Sequence, residues 1–329
     1  MKISVAMCTY NGAEFLPAQL ESIFAQTRTP DEIVICDDGS TDETRQILTK
    51  FAAISAIPIQ LKFNQQNLGS VKNFEQAISL CDGDVIALCD QDDVWRRDKL
   101  EVIERAFRET PTAGLVFSDA EIVDENLKSL NRSMWTQVGF GRRKRRLLRT
   151  GHALEVLITG WTVTGATMAF RSEFLKLCLP IPDDLAMIHD GWIALTVAAV
   201  AGVAPIDQPL IKYRQHRRQQ IGARPRGDES AERLAPLKAF ETAFRRRSSN
   251  ADMHKILTTL KERVLAHSDS YDIRNALSFV ADYSFHLNVR DNLPPSRLNR
   301  LPRILRELLQ GRYHDYANGF KSAAKDLVS

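Results

Sequence analysis

The chain has 329 residues with 44 Lys and Arg against 41 Asp and Glu, a formal net charge of +3, and 44% hydrophobic residues. That length and apolar content can bury a sizeable core, which excludes a disordered chain, and the near-balanced charge gives no ground for a nucleic-acid partner. The longest apolar run, residues 192–206, falls short of the roughly 20 residues needed to span a bilayer and contains Gly202 and Pro205. No secretory signal opens the chain and the five cysteines show no CxxC spacing, so the expectation is a cytoplasmic protein without disulfides. Charge is unevenly spread, with acid around the early motifs and Arg and Lys gathered at residues 142–149 and in the last third. This distribution suggests an anionic partner for the later half.

Residues 3–7 read as a buried strand that ends in a loop carrying Thr9, Tyr10, Asn11 and Gly12, and residues 15–26 show helical spacing. Residues 32–36 read as a second strand, ending in Asp37, Asp38, Gly39 and Ser40; Thr41 and Asp42 are placed to cap a helix running to Phe51. Two strand-loop-helix units in fifty residues predict a parallel, doubly wound sheet, in which ligands sit beyond the carboxyl ends of the strands. A third strand at residues 59–63 leads through Asn67 and Gly69 into a helix over 71–81 that carries Lys72. The fourth, residues 85–89, stops at Asp90, Asp92 and Asp93. Three carboxylates within four residues repel one another. They suit a hard divalent cation, Mn2+ or Mg2+, or else form an acidic turn that caps the next helix. Four strands thus deliver polar residues to one edge.

Residues 115–118 predict a further strand. The segment RRKRRLLR, residues 142–149, has six basic residues in eight and predicts a mobile arm for an anionic membrane or a phosphate-bearing substrate. Residues 163–170 predict a strand, with Gly165 where backbone could approach a ligand. His189 and Asp190 form either an acid/base pair or a helix start capped by Asp190. Residues 209–213 predict the last strand of the domain, running into His216, which ligates a metal, contacts phosphate or is merely solvated. Neither GxGxxG nor GxxxxGK[ST] is present, which argues against a nicotinamide dehydrogenase and a P-loop nucleoside triphosphatase. Beyond Gly222 the composition shifts to a polar linker and then to helical spacing, giving an expected division into residues 1–222 and 223–329. Within the second part, residues 300–309 combine leucines and arginines in a basic amphipathic helix, which either lies on a membrane or packs on the main domain.

With these motifs in order, the sequence resembles the inverting family 2 glycosyltransferases of the GT-A fold. SVAMCTYNGAEFLPAQLESIFAQT and IVICDDGSTDET are similar to that family's nucleotide-binding half, and DQDD is similar to its DxD metal motif. HDGWIAL followed by YRQHRRQQIGA is similar to its bacterial rhamnosyltransferase branch, which acts on cell-surface polysaccharides. The resemblance implies a nucleotide-sugar donor, a glycan or lipid-linked acceptor, and a place in the cytoplasm with peripheral contact at the inner face of the plasma membrane. It implies that Thr9, Tyr10, Asn11, Asp37 and Asp38 hold the nucleoside, that Asn67 and Lys72 border the nucleotide sugar, and that Asp90 reaches the ribose or the metal. Asp92 would bind the metal, His216 would be a further ligand, and Asp190 would be the general base. Two other readings are a haloacid-dehalogenase-like phosphatase, since DQDDV fits DxDx[TV], and a non-catalytic module that binds saccharide or docks on a membrane.

Overall fold

Ile3–Thr9 (β1) is buried at every position, which is what a strand covered on both faces requires. It lies inside the sheet, parallel to Glu32–Asp37 (β2) on one side and to Val85–Cys89 (β4) on the other. Ile59–Phe63 (β3) instead alternates half-buried and exposed residues, and it is the outer strand, parallel to β2. The computed structural model describes residues 1–160, 162–216 and 249–328. Its sheet runs β3-β2-β1-β4-β8-β6-β9-β5, with Val94–Trp95 as β5, Ala113–Val123 as β6, Met168–Arg171 as β8 and Gly202–Arg214 as β9. Ser129–Ser133 (β7) branches from β6.

The first four strands in that order form the parallel half. β8 then runs antiparallel to both β4 and β6, while β6 and β9 are parallel. Alternation along the strands sends Val5, Met7, Ile33, Ile35, Ala87 and Cys89 to one face, which is covered by Leu16–Phe24 (α1), Thr44–Ile54 (α2) and Lys99–Glu109 (α4). Ala6, Cys8, Val34, Cys36, Ile86 and Leu88 face the other core. There Ser70–Ser79 (α3) and the His189–Ala198 helix pack together with the helices Asn250–Leu265 and Arg274–Asp291. The expected mixture of a doubly wound sheet, helices on both faces and a C-terminal helical region is therefore what the chain adopts. All five cysteines are free and buried.

Three local expectations are corrected. RRKRRLLR is not an arm but the helix Arg142–Arg149, anchored by buried Leu148, by Arg145 over the Trp135 ring at 5.3 Å, and by Arg145 and Arg149 sharing Asp207. Residues four apart share a helix face, so two of its six cations meet one carboxylate. Residues 163–170 are not one strand. A turn of 3-10 helix at Gly165–Thr167 precedes β8, because side chains rather than a neighbouring strand take its backbone groups. The last strand, expected at residues 209–213, begins at Gly202, since it extends along the whole of β6.

Among the described residues no helix is long and apolar enough to cross a membrane. The expected boundary at Gly222 lies outside the described residues. Beyond them, the helices Asn250–Leu265 and Arg274–Asp291 contribute Leu257, Leu260, Phe279 and Tyr283 to the same core as Trp192 and Phe174. Arg263 reinforces this contact by donating to the carbonyls of Leu177 at 3.0 Å and Pro180 at 2.7 Å.

Candidate active site

Register puts Thr9 beside Asp37 and Met7 beside Cys89, so the loops after β1, β2 and β4 leave the sheet side by side. Asp37 is fully buried. Its carboxylate accepts from Thr9 Oγ1 at 2.9 Å, Ser40 N at 3.0 Å and Arg45 Nε at 2.8 Å. Asp38 is also buried and accepts from Leu68 N at 2.8 Å, Gly69 N at 2.9 Å and Asn64 Nδ2 at 3.1 Å, tying the second loop to the third. Asn67 adds a bond from Nδ2 to Asp38 O at 3.2 Å. Gly39 permits the reversal between them: its φ is +82°, and a Cβ there would meet the backbone of residues 66 and 67 at 3.3 Å.

The first loop is bound to the second and fourth. Asn11 N donates to Ser40 Oγ at 2.8 Å, and Asn11 Oδ1 accepts from Thr41 N at 2.8 Å. Gln91, between the two acids of the DxD pattern, accepts from Tyr10 N at 2.8 Å and donates back to Tyr10 O at 3.0 Å. A Cβ on Gly12 would lie 2.1 Å from the Gln91 amide oxygen, so this clamp needs a glycine. Tyr10 keeps its ring at the surface. Lys72 turns toward the 181 loop, with Nζ 3.2 Å from both Glu75 and the Ile181 carbonyl.

The acids after β4 separate into roles. Asp92 meets His216 Nε2 at 2.8 Å, and His216 lies against the Phe15 ring at 4.4 Å, on which Arg214 also stacks at 4.6 Å. Arg214 donates through Nε to Asp92 O at 2.7 Å and through its backbone N to Asp93 Oδ1 at 3.0 Å. Asp93 is thus a buried partner of β9, and its other oxygen has no hydrogen-bond partner among the described residues. Asp90 is pushed up to about 7 by burial, then by the charges of Asp92 and Asp190. Burial and then Asp93, Asp92, Asp90 and Asp190 together push the Tyr213 phenol well up. Four carboxylates from two parts of the chain therefore act on one buried ring.

Asp190 is the second residue of its helix. Its Oδ2 accepts from Gly165 N at 3.0 Å and its Oδ1 from Gly191 N at 2.6 Å, in the first turn, where the helix dipole favours a negative charge. His189 is stacked on Phe74 at 4.0 Å, and burial pulls its imidazole below the usual range. Under the site lies Lys99, fully buried, its Nζ 2.7 Å from Ala166 O and 3.7 Å from the Trp95 ring centre. Burial lowers its ammonium to about 8, against the charges of Asp93 and Asp90.

Among the described residues no three or more His, Cys, Asp or Glu side chains form a ready metal cage. The donor set nevertheless fits a hard divalent cation of the magnesium class, which takes one or two carboxylates and completes its sphere with water and phosphate. Crowded negative charge at Asp90 and Asp92, with an imidazole already on Asp92, is the relevant observation.

Sequence reasoning missed Gln91, Lys99, Tyr213 and Arg214. A signal existed for Lys99, which shares a helical stripe with Val102, Ile103 and Phe107, all buried. None existed for Tyr213, which reads as one more residue of an apolar strand.

Residues 4–177, more than half of the chain, match the family model described as Glycosyl transferase family 2. An uncharacterized glycosyltransferase of Nostoc sp. is 32% identical over 219 residues, covering 66% of this chain and 65% of that protein. The Escherichia coli UDP-Glc:alpha-D-GlcNAc-diphosphoundecaprenol beta-1,3-glucosyltransferase WfgD is 29% identical over 124 residues, covering 38% of this chain and 47% of its own. The chain thus spans less than two thirds of the length of these relatives. In fold it is similar to S. aureus TarS solved in complex with UDP-GlcNAc, with a TM-score of 0.57, 16% identity and coverage of 99% of this chain and 91% of that one. With the motif order, the sheet and the family match in agreement, the chain belongs to glycosyl transferase family 2.

Proposed function

We propose that this protein transfers a sugar from a nucleoside diphosphate donor to an acceptor hydroxyl, with inversion at the anomeric carbon. The observation that supports this reading is that the charges of Asp92 and of Asp190, about a hundred residues further along the chain, both act on the Asp90 carboxyl. The loops of Thr9, Tyr10 and Asn11, of Asp37 and Asp38, and of Asn67 and Lys72 form the donor side. There Asp37 and Asp38 act by fixing loop backbone, while Tyr10 offers an exposed ring.

Asp190 takes the proton of the acceptor hydroxyl. The freed oxygen then forms a bond to the anomeric carbon as the bond from that carbon to the diphosphate oxygen breaks, and the electron pair leaves with the nucleoside diphosphate. Gly165 N–H and the first turn of the helix hold the Asp190 carboxylate in place. Asp90, Asp92 and His216 would hold Mn2+ or Mg2+, which when bound neutralises charge on the departing diphosphate. In a single displacement no enzyme nucleophile is required, and the buried thiols here are held protonated.

The specific donor we propose is dTDP-rhamnose, on the strength of the HDGWIAL and YRQHRRQQIGA motifs; residues 217–223 of the second lie outside the described residues. A lipid-linked glycan at the inner face of the plasma membrane is the proposed acceptor, in keeping with the polyprenyl-linked acceptor in the name of the E. coli relative. A panel of nucleotide sugars with Mn2+ or Mg2+, read by release of nucleoside diphosphate, tests the reading. Turnover of a donor by the wild type and its loss in Asp92→Ala or in chelator is expected; full activity in chelator refutes the metal assignment, and no release from any donor refutes transfer.

A further inference from the structure

The C-terminal helix Arg297–Leu309 is two-faced in a way that nothing in the transfer site uses. Ile304, Glu307 and Leu308 point inward, against a small cluster built on Tyr313 and Ala323. Leu298, Leu301, Leu305 and Leu309, spaced three and four apart and so on one face, remain 82%, 41%, 46% and 88% exposed. Four leucines left in water along thirteen residues are an expense with no internal return, and such a patch marks a contact surface.

Charge identifies the occupant. The helix's one acid, Glu307, is buried and held by His286 at 2.7 Å and Arg312 at 3.0 Å, whereas Arg297, Arg303 and Arg306 are exposed and have no carboxylate partner among the described residues. The neighbouring helix Phe320–Val328 repeats the sorting. Its one acid, Asp326, is turned inward to Arg290 at 2.7 Å, while Phe320, Lys321, Lys325 and Val328 are exposed. Acid inside, base and hydrocarbon outside is the complement of a bilayer surface carrying anionic headgroups, where leucines enter the acyl boundary and arginines meet phosphate. Arg297 and Arg300 bind the two helices together by donating to Val328 O at 3.3 Å and Asp326 O at 2.9 Å, so both present their faces as one unit. We infer that the leucine face of Arg297–Leu309, flanked by Arg297 and Arg306, docks this protein on an anionic membrane. The inference rests on the proposed membrane-linked acceptor only for its purpose, and its test is independent of transfer.

The test is co-sedimentation of the full chain with vesicles of neutral phosphatidylcholine and with vesicles that also contain anionic phosphatidylglycerol. The wild type binds the anionic vesicles. Replacing Leu298, Leu305 and Leu309 by Ser lowers that partition at least about tenfold, as loss of buried hydrocarbon requires. Arg297→Gln and Arg306→Gln together lower it about twenty-five-fold, roughly fivefold for each charge near the surface. Circular dichroism and thermal unfolding unchanged from wild type show that the variants are folded. Failure of the wild type to bind anionic vesicles, or variants that bind as well as it does, overturns the inference. So does a wild type that is dimeric in solution and becomes monomeric when the leucines are replaced, since the face would then be an interface between copies. Vesicle binding that depends on these residues in a protein that releases no nucleotide sustains the docking surface while refuting transfer.

Discussion

Asp90→Asn should make the metal-free protein more stable while abolishing its activity. The Asp90 carboxyl is pushed from an ordinary 3.8 up to about 7 by burial and by the charges of Asp92 and Asp190. Because its folded value lies above its unfolded value, ionisation opposes folding: the penalty is absent below 3.8, grows as pH rises and is complete above about 7. At 1.36 kcal/mol per pH unit the shift corresponds to at most about 4 kcal/mol, and partial solvent contact of this half-buried group reduces it to about 2 kcal/mol. Asparagine is a neutral isostere and avoids the penalty. Urea denaturation of wild type and variant in chelator, near pH 8 and near pH 5, should therefore show the variant ahead by about 2 kcal/mol at the higher pH, with the gap narrowing at the lower one. Saturating Mn2+ should close the gap by stabilising only the wild type. A variant no more stable than wild type near pH 8, or an advantage independent of pH, would refute the reasoning that this site concentrates uncompensated charge.

Asp190→Asn should leave donor affinity, measured calorimetrically, within about twofold and reduce turnover by roughly 100-fold or more; an active variant removes the base assignment. Lys99→Met takes away the donor to Ala166 O and so loosens the turn whose Gly165 N–H holds Asp190. Its kcat should fall further than its KM for the donor changes, and an effect confined to KM would place Lys99 elsewhere in the mechanism. Gly12→Ala displaces Gln91, whose amide oxygen would lie 2.1 Å from the new Cβ, and opens the clamp on Tyr10. Donor KM should rise several-fold while kcat holds; unchanged kinetics would show the clamp to be incidental.

The sequence by itself determined the parallel half of the sheet and the candidates for the site. Short, mostly apolar runs at residues 3–7, 33–36 and 85–89 mark strands buried on both faces, and strand-loop-helix alternation forces them parallel, so the polar residues at their ends share an edge. Such information is local, because it depends on period and on which residue follows a strand. Tertiary structure alone decided what each acid does. Asp93 reads like Asp90 and Asp92, yet it is spent on the backbone of Arg214, 121 residues away, while Asp92 finds His216. The arginines at 142–149 read as a solvated arm until Asp207 and Trp135 are placed beside them. In the same way, the leucines of Arg297–Leu309 have a helical period whether they face protein or solvent. Periodicity specifies a face, and only the long-range packing of Ile304 and Tyr313 selects which face is covered.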